Sequence, residues 1–131
     1  MAAIRGFKLV LTGFLLAAAS VTAIVEAKTP VLATDGTASM SIADIPAPGP
    51  QTYALIGRGG PFQYEKDGAV FGNRERLLPV RPRGYYREYT VKTPGMNHRG
   101  TRRIVCGGKP SLPDNCYYTA DHYASFRRIV P

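Results

Sequence analysis

The sequence predicts a small α+β domain in which one short helix packs on a small antiparallel β-sheet. One helical pattern occurs early in the chain, and short β-prone segments separated by Gly, Pro, Asn and Asp follow it. The chain has 131 residues, of which 44% are hydrophobic and 20% are charged. This length and composition suit one compact domain and exclude a multidomain enzyme or a wholly disordered chain.

The helix is predicted over residues 51–56, with Gly57 closing it. Tyr53, Leu55 and Ile56 give this segment one apolar face. A first short strand is predicted over residues 39–45. We therefore expect the chain to enter the domain through a strand and then form its single helix.

The later β-prone segments cover residues 70–71, 84–92, 101–106, 116–119 and 123–129. Side chains alternate between the two faces of a strand, so Tyr86, Glu88 and Thr90 share one face of the second of these segments. Several strands at this close spacing predict antiparallel pairing.

The first 27 residues are typical of a secretory signal peptide. Arg5 and Lys8 precede an apolar run over residues 9–24, and Ala27 offers a cleavage position. An uncleaved membrane anchor is the less favoured alternative, because the run is shorter than the ~20 residues that span a bilayer. We expect a flexible leader over residues 28–40, a folded domain over residues 41–131, and a secreted protein, extracellular or periplasmic.

The charge is the unusual part of the composition. The chain has 17 Lys and Arg against 9 Asp and Glu, a formal charge of +8, and a pI near 9.8. Removal of residues 1–27 takes away two basic and one acidic residue and leaves +7. Such a protein is attracted to polyanions, so RNA, DNA and anionic lipid surfaces are the candidate partners.

Two cysteines, Cys106 and Cys116, lie ten residues apart. In a secreted protein they are expected to form a disulfide across a hairpin of residues 102–106 and 116–120, at a Cα separation of about 5.5 Å. Two free thiols are the alternative. Two cysteines and two histidines at these spacings match no zinc site, so we expect neither a metal nor another cofactor.

Three segments carry groups suited to acid–base chemistry on a phosphodiester. Glu88 can accept a proton, His122 can donate one, and Arg99 and Arg103 can bind phosphate oxygens. Taken singly, each is more often a solvated charge, and His98 is interpreted as an exposed bystander in a loop. Together they supply what cleavage of RNA through its own 2′-hydroxyl requires.

Nine blocks of residues follow one order along the chain. They are Gly60-Pro61-Phe62 with Tyr64, Asp67-Gly68-Ala69-Val70-Phe71, Asn73-Arg74-Glu75, Leu78-Pro79, Gly84-Tyr85-Tyr86, Glu88-Tyr89-Thr90-Val91, Thr93-Pro94-Gly95, residues 99–103 and Asp121-His122-Tyr123. In this order and spacing the chain resembles, over residues 42–126, the secreted microbial guanyl-specific ribonucleases, the barnase-like family that includes small streptomycete enzymes.

The resemblance implies a fold of one helix on a small antiparallel sheet, and it implies catalytic roles. Glu88 would be the general base at the ribose 2′-oxygen and His122 the general acid at the leaving 5′-oxygen. Arg99 and Arg103 would hold the phosphoryl oxygens, and Tyr123 would help to position phosphate or base. The product would be a 2′,3′-cyclic phosphate, which water then opens.

The resemblance also places guanine recognition in residues 71–75. The Glu75 carboxylate would accept from guanine N1 and N2, the backbone N–H groups of Asn73 and Arg74 would bind O6, and Phe71 would stack on the base. Gly72 departs from a relative that has a side-chain amide there, so selectivity could be relaxed. The terminal disulfide of the streptomycete relatives is missing, and Cys116 has no counterpart in them.

The expected partners are single-stranded RNA and, by resemblance, an acidic barstar-like inhibitor protein. We expect a monomer without stable membrane association after signal cleavage. The competing hypothesis is a non-catalytic cationic protein that binds nucleic acid or acidic envelope polymers, for which the charge alone is sufficient.

Overall fold

A computed structural model describes Gly13 and residues 36–131. Apart from Gly13, the predicted signal peptide and residues 28–35 of the predicted leader lie outside the described residues. Among the described residues, no helix has the length and apolar character needed to cross a membrane.

One helix and six strands make up the fold. In chain order they are β1 (Ser39–Ser41), a 3-10 turn (Ile42–Asp44), α1 (Gly49–Arg58), β2 (Ala69–Val70), β3 (Tyr86–Thr90), β4 (Arg103–Lys109), β5 (Leu112–Thr119) and β6 (Arg127–Val130). The sheet order is β1-β6-β5-β4-β3-β2. All neighbours are antiparallel except β1, which pairs parallel with β6. The α+β prediction is confirmed, and the parallel edge strand makes the sheet mixed.

Helix α1 begins two residues earlier and ends two residues later than predicted. Pro50 lies in its first turn, where a missing N–H leaves no helical hydrogen bond unmade. The closing residue is Gly59 rather than Gly57, because Gly59 has a φ of +78° and its N–H donates to the carbonyl of Ile56.

The helix covers one face of the sheet and forms the main core with it. The buried members are Ile45, Ile56, Tyr89, Val91, Ile104, Cys106, Cys116, Tyr118 and Ile129. The disulfide between Cys106 and Cys116 lies in this core and joins residues that are directly opposite in β4 and β5. It confirms the predicted bridge, with a Cα separation of 4.1 Å that is shorter than expected.

A second, smaller core lies on the opposite face. Leu78, Tyr86, Val105 and Tyr117 are its buried residues, and Phe71, Tyr85, Tyr123 and Phe126 pack against them. The face that carries Glu88 is therefore partly covered by aromatic side chains. These side chains give the site below a rigid apolar floor.

Three predicted strands are shorter than expected: the first, the last, and the segment over residues 84–92, which forms β3 only over Tyr86–Thr90. The first ends at Ser41, where the Ser41 hydroxyl accepts from the N–H of Ala43 and begins the 3-10 turn. The last begins at Arg127, because His122 and Tyr123 have φ values of +53° and +72° that no strand allows. Residues 121–126 form a turn instead, and this turn presents His122.

Candidate active site

Glu88 is the central residue of β3, next to the edge strand β2, and its carboxylate is held by two donors. Glu88 pairs with Ala69 on β2 and with Val105 on β4. Its Oε1 is 3.4 Å from Nη2 of Arg99, and its Oε2 accepts from the hydroxyl of Tyr123. The side chain is only 14% exposed. The carboxylate is therefore fixed in orientation and partly shielded from water.

Arg99 reaches Glu88 from the loop before β4. Its Nε donates to Oγ1 of Thr90 at 3.0 Å, and the following Gly100 has a φ of +64° that turns the chain toward β4. The Asp67 carboxylate accepts from the N–H of Thr90 at 2.8 Å. These contacts fix the guanidinium beside the carboxylate.

Arg103, which the sequence predicts to bind phosphate, is buried. It is 2% exposed, and its Nη1 donates to the carbonyls of Arg102 at 2.7 Å and Arg99 at 3.3 Å. Its guanidinium carbon is 5.9 Å from the centroid of the Tyr123 ring. Within residues 36–131, its buried Nε has no hydrogen-bond partner.

The His122 side chain is exposed on a turn whose first residues are hydrogen-bonded to Thr101, just before β4. The backbone N–H of His122 donates to the carbonyl of Thr101 at 3.1 Å, and the Thr101 hydroxyl donates to the carbonyl of Ala120 at 2.7 Å. The imidazole is 4.8 Å from the Tyr123 ring, centroid to centroid. A titratable group is thus held at the edge of the site by backbone contacts.

Asp121, next to His122, builds this turn. Its carboxylate accepts from the N–H and the hydroxyl of Ser125 at 2.9 and 2.6 Å, and from the hydroxyl of Thr119 at 2.9 Å. The hydrogen bonds from Ser125, above all, hold the pKa of Asp121 below its ordinary value. The acid beside the histidine therefore has a conformational role.

Tyr123 links the carboxylate to the aromatic floor. Its ring stacks on Phe71 with a centroid separation of 5.0 Å, and its hydroxyl donates to Glu88. Burial, together with the hydrogen bond and negative charge of Glu88, raises the pKa of Tyr123 to about 12. Near neutral pH Tyr123 is thus a protonated, permanent donor.

One pocket of about 460 Å³ brings together most of the predicted residues. Its lining comprises Val70, Phe71, Gly72, Asn73, Arg74, Glu75, Leu77, Glu88, His122, Tyr123, Ala124 and Phe126. Arg99 and Arg103 are not part of the lining, but Arg99 contacts the Glu88 carboxylate and Arg103 lies over the Tyr123 ring. The sequence interpretation missed Val70, Leu77, Ala124 and Phe126, and only the aromatic character of Phe126 offered a signal.

Asn73 shapes the loop over residues 73–78 that forms one wall of this pocket. Its Nδ2 donates to the carbonyl of Leu78 at 2.9 Å, and its Oδ1 accepts from the N–H of Leu78 at 3.1 Å. Its own carbonyl accepts from Arg76, and its φ is +49°. In the described part of the chain, the N–H groups of Asn73 and Arg74 donate to no protein acceptor, which leaves both available to a ligand.

Two further positions bear on the sequence predictions. At Gly72 an added Cβ would lie 3.7 Å from Cγ of Arg74, in ordinary van der Waals contact, so the structure leaves room for a side chain at this position. His98 is exposed, outside the pocket, and its Nδ1 accepts from the N–H of Gly100 at 3.0 Å. Among the described residues, no cluster of three His, Cys, Asp or Glu side chains could hold a metal ion.

Comparison with known proteins gives close relatives of this chain. It is 55% identical over 85 residues to guanyl-specific ribonuclease Sa3 of Kitasatospora aureofaciens, with 65% of this chain and 58% of that protein covered. It is 47% identical to guanyl-specific ribonuclease St of Saccharopolyspora erythraea, over 74% of this chain and 92% of that protein. The chain thus spans little more than half of the first relative and nearly all of the second.

Solved structures agree with these relatives. A structure of ribonuclease Sa2 in complex with mononucleotides has a TM-score of 0.67 and 45% identity, and the match covers 72% of this chain and 95% of that one. A structure of Sa2 with guanosine-2′-cyclophosphate has a TM-score of 0.66 and 45% identity, and covers 72% of this chain and 97% of that one. The ribonuclease family model matches residues 28–130, and the chain therefore belongs to the ribonuclease family.

Proposed function

We propose that this ribonuclease cleaves single-stranded RNA after guanosine by transesterification to a 2′,3′-cyclic phosphate, which it then hydrolyses. The observation that carries the proposal is the Glu88 carboxylate, fixed by Arg99 and Tyr123 in a pocket that also contains His122 and the 71–75 loop. The relatives named above are guanyl-specific ribonucleases, which supports the same base preference here.

In the first step Glu88 takes the proton of the ribose 2′-hydroxyl, and the 2′-oxygen forms a bond to phosphorus. The bond from phosphorus to the 5′-oxygen breaks, and His122 gives that oxygen its proton. In the second step the roles reverse, so that His122 activates water and Glu88 returns the proton to the 2′-oxygen. The RNA supplies its own nucleophile, so we propose that no metal ion takes part.

Arg99 and Arg103 oppose the negative charge that builds on the phosphoryl oxygens. Arg99 shares the carboxylate of Glu88, and Arg103 lies over the Tyr123 ring with an unpartnered buried Nε. Donors that are fixed before the reaction stabilise developing charge without a cost of reorganisation. Tyr123 orients Glu88 through a hydroxyl that stays protonated.

Guanine selectivity is assigned to the wall of residues 71–75. The N–H groups of Asn73 and Arg74, which have no protein acceptor, bind O6, the exposed Glu75 carboxylate accepts from N1 and N2, and Phe71 provides an aromatic surface. Adenine has the opposite donor and acceptor pattern at positions 1 and 6. It would leave these groups unpaired, a difference that gives strong discrimination.

The test compares cleavage of the dinucleotides GpU and ApU, with products identified by mass, with and without a chelator. We expect GpU to give guanosine 2′,3′-cyclic phosphate in both conditions and ApU to react far more slowly. Glu88→Gln and His122→Ala should each lower kcat by about 10²–10⁴-fold. Glu65→Gln, which changes an exposed carboxylate outside the pocket, is the matched control. Unchanged cleavage in Glu88→Gln and His122→Ala would refute the assigned roles.

We also propose that the chain is exported as a monomer and that an acidic inhibitor protein binds over its active site. The formal charge of +8 and the Cys106–Cys116 disulfide support these proposals, because acidic partners complement the first and oxidising compartments preserve the second. Mass analysis of the culture fluid checks export: a chain that begins near residue 28 is expected, and a full-length chain retained in the cell would contradict it.

A further inference from the structure

A second pocket lies across the His122 turn from the candidate active site. It has a volume of about 330 Å³, and Ala120, Ser125 and Phe126 form one wall. Phe126 also lines the active-site pocket. Tyr118 and Met40 on the opposite wall belong to the core on the helix side of the sheet. A single turn of chain, residues 120–126, therefore separates the two pockets.

Two guanidinium groups border this second pocket without a carboxylate partner. Arg102 precedes β4 and Arg127 begins β6, and both line the pocket. Within residues 36–131, neither has an acidic oxygen within the 4.0 Å of an ion pair. Asp44 is the one acidic residue in the lining, so the pocket keeps a positive balance. Unpaired arginines on a concave surface are suited to phosphate oxygens.

A buried hydroxyl adjoins the same arginines. Tyr118 is 6% exposed and lies directly opposite Arg127 across β5 and β6. Its hydroxyl has no hydrogen-bond partner among the described residues, and burial raises its pKa, so it remains a donor at neutral pH. Buried donors are normally paired, and one that is left unpaired beside two cations indicates a missing acceptor.

We propose that Arg102, Arg127 and Tyr118 form a subsite for a phosphate group of RNA on the 3′ side of the cleaved bond. We assign the subsite to the 3′ side because, in the proposed mechanism, His122 gives its proton to the leaving 5′-oxygen. Because residues 120–126 alone separate the two pockets, we expect the strand that leaves past His122 to reach the second pocket. This inference rests on the proposed function and adds to it a contact outside the guanine and cleavage sites.

The test is a length series of substrates that differ only on one side of guanosine. GpU has no phosphate beyond the cleaved one, GpUpU and GpUpUpU add phosphates on the 3′ side, and UpUpGpU adds them on the 5′ side. The variant Arg102→Gln with Arg127→Gln removes the two cations. Arg58→Gln with Arg83→Gln removes the same charge from exposed positions outside the pocket.

For the parent protein we expect kcat/KM to rise as nucleotides are added on the 3′ side. At low salt, the double variant should lose about five- to tenfold on GpUpUpU and leave GpU and UpUpGpU unchanged. The control variant should reduce all substrates alike and only slightly. Added salt should shrink the difference between the two variants.

Three results would overturn the subsite. They are an equal loss on GpU, a loss on UpUpGpU instead of GpUpUpU, and an unchanged length dependence in the double variant. In the third case, a melting temperature that inorganic phosphate raises in the parent but not in the variant would identify a site for free anions instead. Failure of the proposed function gives a different result, because the parent protein would then not cleave GpU at all.

Discussion

Replacing Asn73 tests the link between one side chain and base selectivity. Its amide joins both backbone groups of Leu78, and Leu78 is 2% exposed in the second core. Asn73 has a positive φ, and the two free N–H groups of the loop belong to Asn73 and Arg74, which both line the pocket. Asn73→Ala removes the amide and leaves a Cβ at a left-handed position, whereas Asn73→Gly removes the amide and the Cβ together and so avoids that strain.

The expected cost follows from these contacts. Two hydrogen bonds of 2.9 and 3.1 Å are lost in both variants, about 1 kcal/mol each. Alanine at a left-handed φ adds about 1 kcal/mol that glycine avoids. We therefore expect about 3 kcal/mol of destabilisation for Asn73→Ala and about 2 kcal/mol for Asn73→Gly, and the first corresponds to a melting temperature roughly 12–24 °C lower.

Urea unfolding measures both free energies, and GpU and ApU cleavage measured well below the melting temperature gives the selectivity. Both variants should lose at least about tenfold in the ratio of kcat/KM for GpU over ApU, because the O6 donors are no longer held in place. Asn73→Gly as stable as the parent would refute the hydrogen-bond argument. Equal stability of the two variants would refute the conformational one.

Three other perturbations test separate features. Replacing Cys106 and Cys116 together by Ala should lower the free energy of unfolding in urea by about 3 kcal/mol, because the bridge closes a short loop. GpU cleavage at low temperature should stay intact. An unchanged free energy of unfolding would contradict this prediction. Folding raises the pKa of Tyr123 from 10.0 to about 12. The contribution of this group to stability is therefore complete below pH 10 and is lost as the pH rises toward 12. Tyr123→Phe should flatten that alkaline decline in the free energy of unfolding measured with urea. Folding lowers the pKa of Asp121 from 3.8. The contribution of this carboxylate to stability is therefore present above about pH 4 and is lost in acid. Asp121→Asn should make the melting temperature less sensitive to acid, and it should lower GpU cleavage because the turn that carries His122 is displaced.

The fold class was predictable because local signals and topology agree. β-prone tyrosine, threonine and valine residues mark the segment that contains β3, and two cysteines ten positions apart suit the β4–β5 hairpin. The limits of α1 could not be predicted in this way. Both Gly57 and Gly59 could close a helix, and only the tertiary structure selects Gly59. The parallel pairing of β1 with β6 joins the two ends of the domain, and no short-range pattern encodes it.

The sequence predicted most residues of the candidate site, but it predicted fewer of the contacts between them. The sequence indicated Glu88 and His122, and both line the same pocket. It did not indicate that Tyr123 holds the Glu88 carboxylate, because the hydrogen bond joins residues 35 positions apart. Nor did it reveal the role of Asp121, whose carboxylate forms the turn rather than contacting the imidazole of its neighbour.

Arg103 shows why a buried cation can persist in such a site. A guanidinium that is 2% exposed loses most of its hydration, and two carbonyl oxygens and the face of the Tyr123 ring replace only part of it. Its Nε remains unpartnered within the described part of the chain. A phosphate group that gains negative charge as it reacts would replace the lost hydration of Arg103 most fully in the transition state. In the proposed mechanism, the incomplete solvation of Arg103 in the free protein favours the transition state over the bound substrate.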